Sequence, residues 1–237
     1  MFIGHFAVAF AAKKVAPRTS LGTLVLAAVF LDVVWPVLVL LGIEHFRIVP
    51  GFTAVNPFDF VYYPWSHSLA ATLFWALAFA WAYLGLRGDR AGAIWVGIAV
   101  ASHWVLDFVS HRPDMPLYPG GSERLGLSLW SSLPATFAVE GAMFALAILL
   151  YLQSTRPRDR VGTIAWWAFV ALLLALYLPG PWSPPPPSEN VVAIMGIIAL
   201  AIFAPWAYWI DRHREVSRLS LRPVAGTQRT AAIFTDR

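Results

Sequence analysis

Three side chains that can bind a metal or move a proton recur every fourth residue in the segment HWVLDFVSH: His103, Asp107 and His111. On an α-helix a step of four residues rotates by only about 40°, so the three would form one stripe. Imidazole and carboxylate together suit Zn, with Mn or Fe as alternatives. The same groups could instead hydrogen-bond to hold helices together, or pass protons. Ala93, Gly97 and Ala101 share the spacing on roughly the opposite side, where small residues allow close helix packing.

The surroundings of this stripe are strongly apolar. The chain has 237 residues, 59% hydrophobic and 13% charged, with no cysteine. A soluble domain usually carries about 25% charged residues, so an ordinary soluble fold is excluded. The absence of cysteine removes disulfides, thiolate metal sites and thiol nucleophiles. Six apolar stretches are long enough to span a bilayer: 20–42, 66–86, 91–110, 133–153, 161–179 and 190–210. The expected fold is an all-α polytopic transmembrane bundle. A shorter apolar stretch, MFIGHFAVAFAA, predicts a half-helix that dips into the membrane or lies on its surface. The expected organisation is one membrane domain over 1–210, with its chemistry in 1–140 and scaffold spans at 161–210. A basic, partly disordered tail is expected over 211–237.

Lys and Arg mark cytoplasmic loops. Fourteen of the 17 fall at the N-terminal stretch, in alternate loops and in the tail, whereas Arg47, Arg112 and Arg124 alone occupy the intervening loops. This pattern puts both ends of the bundle in the cytoplasm of a bacterial-type inner membrane and the two long loops outside. The net charge of +4 then reflects orientation and attraction to anionic lipid, with no nucleic-acid partner expected. The loop 43–65 is rich in Phe, Tyr and Trp. It reads as an aromatic belt at the interface, or as a lid over a site.

An ionisable group inside a span costs about 2.5–3.5 kcal/mol on insertion scales, so each is a functional candidate. Besides the helical stripe these are Asp32, His67, Glu140 and, in the short N-terminal stretch, His5. Asp32 reads as mid-span, with a metal or His5 as its simplest partner. His67 opens a span between Ser66 and Ser68, either of which could orient it. Glu140 could be a ligand, a general base or a partner for a histidine.

These segments in order, GHFAVAFAAK, VFLDVVWP, SHSL and HWVLDFVSH, resemble the membrane-bound metal-dependent hydrolase family, also described as LexA-binding, inner-membrane-associated hydrolases. The resemblance covers about residues 1–115. It implies a helical inner-membrane protein with a divalent-metal site formed by His5, Asp32, His67, His103 and Asp107. The N-terminal His and the Asp of the apolar run are also similar to zinc-dependent phospholipase C sequences, which implies phosphoester hydrolysis. Glu140 or His111 would then act as base or support the ligands. Two positions depart from the family's pattern. Its second acid after the apolar run is absent in Leu31-Asp32-Val33-Val34, and Tyr62 stands where a His often precedes the SHS histidine. Both changes remove ligands for a second ion. A cation- or proton-coupled transporter and a non-catalytic membrane scaffold are the other readings of the same residues.

Overall fold

The computed structural model describes residues 1–217. The end of the tail, 218–237, lies outside the described residues, as does the disorder expected for it. The described chain is an all-α bundle. Five helices are long and apolar enough to cross a membrane: α5 (Leu69–Arg87), α6 (Arg90–Ser110), α7 (Leu133–Ser154), α8 (Arg160–Tyr177) and α9 (Glu189–Arg212). A sixth crossing is made by two shorter helices, α2 (Leu21–Ala28) and α3 (Leu31–Leu40), bent by 54° at their junction.

Local chemistry sets the helix starts. Ser20, Ser68, Ser132, Asp159 and Ser188 each accept a hydrogen bond from a backbone N–H three residues on, satisfying a donor that the first turn leaves free. Gly88 ends α5 in the left-handed conformation at φ 65°, which glycine adopts without a Cβ clash.

The N-terminal stretch forms α1 (Phe2–Val15), which enters the bundle. It packs against α7, α2, α6 and α8, and its residues from Ile3 to Lys13 are almost all buried. A helix apolar all round belongs in an interior. Phe6 and Phe10 anchor an aromatic core with Phe144, Tyr151, Trp166 and Phe169. The outer faces carry Leu77, Trp81, Leu86 and Ile94, the apolar surface a bilayer requires.

The span 20–42 is not the continuous helix expected. It breaks at Val29 and Phe30, although neither Gly nor Pro stands there. At the break a side chain takes the place of a backbone partner. In a continuous helix the Ala28 carbonyl would accept from Asp32 N–H. Here it accepts from His103 Nδ1 at 2.9 Å. The break moves Asp32 from mid-span to the first turn of α3.

The aromatic loop 43–65 folds as a hairpin. Strand β1 (His45–Ile48) pairs antiparallel with β2 (Phe58–Tyr62), and Arg47 and Asp59 join across it at 2.8 Å. A one-turn helix, α4 (Pro64–His67), follows and delivers His67. Phe46 and Tyr63 pack with Trp35, Trp104 and Met115 in a small second core beneath the hairpin. At the opposite end of the bundle, Thr155–Pro157 pairs with Arg214–Val216, so the first residues after α9 are folded against the α7–α8 connection.

Candidate metal centre

Five of the sequence-selected residues meet at one point. His103 and Asp107 project from one face of α6, His5 comes from the first turns of α1, Asp32 from the start of α3 and His67 from α4. His103 Nε2 lies 3.1 Å from Asp107 Oδ2 and 3.7 Å from Asp32 Oδ1. His67 Nε2 lies 3.7 and 3.8 Å from the same two oxygens. His5 Nε2 is 3.2 Å from Asp107 Oδ1, and its ring stacks on that of His103 at 3.7 Å. The α-amino group of Met1 lies 2.6 Å from Asp107 Oδ1.

Two triads have ligand atoms within 4.8 Å of one another: His5, His103 and Asp107, and Asp32, His67 and His103. Ligands around a tetrahedral zinc sit about 3.3 Å apart, given bonds of about 2.0 Å, so either shell would close by tightening its separations by up to about 1.5 Å. His103 belongs to both triads. One Nε2 lone pair serves one ion, so the triads are alternative shells around one imidazole.

The histidine tautomers follow from their outer bonds. The Ala28 carbonyl can only accept, so His103 Nδ1 carries a hydrogen and Nε2 is the ring atom left to face the cluster. That Nε2 is buried, lies 3.1 Å from Asp107 Oδ2 and has no hydrogen-bond partner. The Met1 ammonium offsets part of the negative charge of Asp107, and a divalent ion would neutralise both carboxylates. The donor set and this orphaned atom fit a divalent ion.

His67 is fixed by a residue the sequence reading passed over. Glu44, fully buried just before β1, accepts from the backbone N–H of Trp65 and Ser66 at 2.7 and 2.9 Å and from Ser66 Oγ at 2.6 Å. The Ser66 hydroxyl donates to Glu44, so its oxygen accepts from His67 Nδ1–H at 2.7 Å. This leaves Nε2 free for the centre. Such carboxylate-backed histidines are the usual support of metal ligands.

The remaining candidates stand differently. Asp32 pairs with His67 and His103, where its expected protein partner was His5, and its side chain is 44% exposed along a cavity. His111 does not continue the helical stripe. Helix α6 ends at Ser110, and His111, extended at ψ 156°, turns out of it. Its Nδ1 lies 3.0 Å from Asp114 Oδ1, which also accepts from the Tyr63 hydroxyl at 2.8 Å. Burial and the Asp114 carboxylate push the Tyr63 phenol well above its ordinary pKa, so it remains a donor. Glu140 belongs to neither triad. Its Oε2 accepts from Gly4 N–H at 3.1 Å, satisfying a free donor at the start of α1, while Oε1 has no partner. Gly97 packs as its spacing predicts: a Cβ there would lie 3.2 Å from Ala80 on α5.

The centre opens on a cavity of about 770 Å³, lined by His5, Asp32, His67, Asp107, His111 and Glu140 on its polar side. Phe58 and Phe60 of the hairpin border it, so the aromatic loop forms part of its wall. The two spans expected to be scaffold also line it, as do Ser183 and Pro186 of the proline-rich loop.

A family model described as YdjM inner membrane protein matches residues 1–182. The chain belongs to the YdjM inner membrane protein family. The match includes every residue of the centre and extends well past the 1–115 covered by the sequence motifs. Membership and the apolar helices agree on a membrane-integral, inner-membrane protein. No curated protein and no solved structure matches the chain.

Proposed function

We propose that this YdjM-family protein is a membrane-embedded, metal-dependent hydrolase of a phosphoester or lipid ester, and that its site lies in the outer half of the bilayer beneath the long loops. The observation that carries the proposal is His103: with Nδ1 bound to the Ala28 carbonyl, its buried Nε2 faces the carboxylates of Asp32 and Asp107 and has no hydrogen-bond partner. His67, His103, Asp107 and Asp32 or His5 would hold the ion, with Zn the best match to the donor set. A bound divalent ion there would supply an acidified water and a Lewis acid for the scissile group.

The chain's own residues would do the rest. Glu44 and Ser66 keep His67 in its binding tautomer. His111, held at Nδ1 by Asp114, offers Nε2 as a proton acceptor at the cavity wall, in the manner of a carboxylate-oriented base. Glu140 Oε1 is a second carboxylate oxygen without a partner in the same wall. The hairpin residues Phe58 and Phe60 give the cavity an aromatic border. Purified protein, loaded with Zn and supplied with bis(p-nitrophenyl) phosphate or phospholipid, should release product. It should do so far more slowly after His103→Ala. A metal-free protein, or one equally active without His103, would sink the reading.

One observation favours a second reading. The broken crossing α2–α3 is a feature of ion-coupled transporters, whose half-helices line a midplane site. Such transporters pair one broken helix with another, and among the described residues only one bent pair occurs. Metal uptake into proteoliposomes without any hydrolysis would favour transport.

A further inference from the structure

The cavity of about 770 Å³ has two unlike walls. One is the charged cluster just described. The other is apolar and comes from spans that contribute nothing to the cluster, with Met195, Gly196, Ala199 and Phe203 of α9 as its main line. A small hydrolysable group at the cluster would leave most of this volume empty. Pockets of 300–1,000 Å³ ordinarily enclose a molecule of drug size. An apolar wall offers water too few partners to fill it well.

The wall has length and direction. Met195, Ala199 and Phe203 stand at i, i+4 and i+8, a line of about 12 Å on one helix face. It begins beside the His–Asp cluster, because Gly196 faces Pro36, which lies one turn after Asp32 on α3. Glycine within a helix costs about 1 kcal/mol relative to alanine. No close neighbour demands it here: a Cβ on Gly196 would find Pro36 at 3.8 Å and nothing nearer. The space kept clear belongs to the cavity. Trp35 Nε1 on α3 and Tyr177 Oη on α8, on cavity-lining residues 9% and 7% exposed, have no hydrogen-bond partner in the protein. Both can donate a hydrogen bond.

We propose that the α9 wall is an acyl-chain subsite, so that the ligand is an amphiphile whose ester or phosphoester head lies at the His–Asp cluster while one long aliphatic chain extends along Met195, Gly196, Ala199 and Phe203. The hydrolase reading supplies only the fate of the head group.

The test uses the full chain in detergent and a phosphatidylglycerol bearing a diazirine at the end of one palmitoyl chain. The label is mapped by peptide mass spectrometry. Lipid also touches the outer face of α9, so competition and variants carry the result. Labelling at Met195 and Phe203 should be competed by unlabelled dipalmitoyl phosphatidylglycerol and not by glycerol phosphate. It should fall about tenfold in Gly196→Phe, the effect of about 1.4 kcal/mol, with bound metal unchanged. If Gly196→Phe fails to fold, Ala199→Leu should lower labelling in the same direction. Labelling indifferent to both substitutions, or competed equally by glycerol phosphate, overturns the proposal. Variant-sensitive labelling without any hydrolysis supports the subsite and sinks the hydrolase reading. Hydrolysis of bis(p-nitrophenyl) phosphate with variant-insensitive labelling does the reverse.

Discussion

His103 Nδ1 lies 2.9 Å from the carbonyl of Ala28, 75 residues away on another helix. That bond occupies the carbonyl left free at the α2–α3 break, puts a hydrogen on His103 Nδ1 and accompanies the turn that brings Asp32 to the cavity wall. Removing metal and removing this imidazole should therefore have separable effects. Chelation should leave the fold in place but lower its unfolding temperature, since an ion bound at 100 times its Kd stabilises by about 2.7 kcal/mol. Asp107→Asn and His103→Ala should each reduce bound Zn to near background, measured by elemental analysis. The chelator-induced temperature shift should vanish in both. Stoichiometry should be about one ion per chain, because one Nε2 lone pair serves one ion. Two tightly held ions would contradict the shared-ligand geometry.

Glu44 touches no ligand atom of the centre, yet it holds Ser66, and Ser66 holds His67. Glu44→Gln and Ser66→Ala should weaken metal binding about 10–100-fold, the usual cost of losing a ligand's support. Competition against a fluorescent chelator would measure this. A merely structural role would lower stability and leave affinity unchanged.

Legibility in the sequence followed contrast. His5, Asp32, His67, His103 and Asp107 stood out because each interrupts an apolar run, where an ionisable group is costly. Glu44 sits in a polar-looking loop, where a carboxylate is unremarkable, and only the folded hairpin buries it. The break at Val29–Phe30 carries no local signal, since the partner found there is a side chain from α6. His111 fits the four-residue spacing by number alone. Pro113 two residues on is the available sign that the helix stops before it. The cavity-facing residues of α8 and α9 are as apolar as their lipid-facing neighbours, so composition cannot tell the two sides apart.

Two glycines should respond oppositely to alanine. A Cβ on Gly22 would lie 2.7 Å from the Ala204 carbonyl and from Tyr208 Cβ, where α2 meets α9. Backbone cannot yield as a side-chain tip does, so Gly22→Ala should cost about 1–3 kcal/mol. At Gly196 the added methyl meets nothing within 3.8 Å. Gly196→Ala should be neutral or stabilising by up to about 1 kcal/mol through helix propensity. Thermal unfolding of the two variants side by side checks the contrast, and equal losses would mean that α9 packs otherwise.

Lys13 counted in the sequence as a mark of the cytoplasmic side, but its side chain is 3% exposed. Its Nζ lies 2.8 Å from Asp211 Oδ1 and donates to the Thr19 carbonyl at 2.9 Å, tying α1 to the end of α9. Losing one member of a fully buried pair costs about 3–5 kcal/mol, because the other charge is left stranded. Asp211 retains 19% exposure and can recover some hydration, so Lys13→Met should cost less, about 1–3 kcal/mol. Adding Asp211→Asn removes the stranded charge and should restore part of the loss. The double-mutant cycle should then show a coupling energy of at least about 0.5 kcal/mol. Additive losses would mean that Lys13 acts through the Thr19 carbonyl alone.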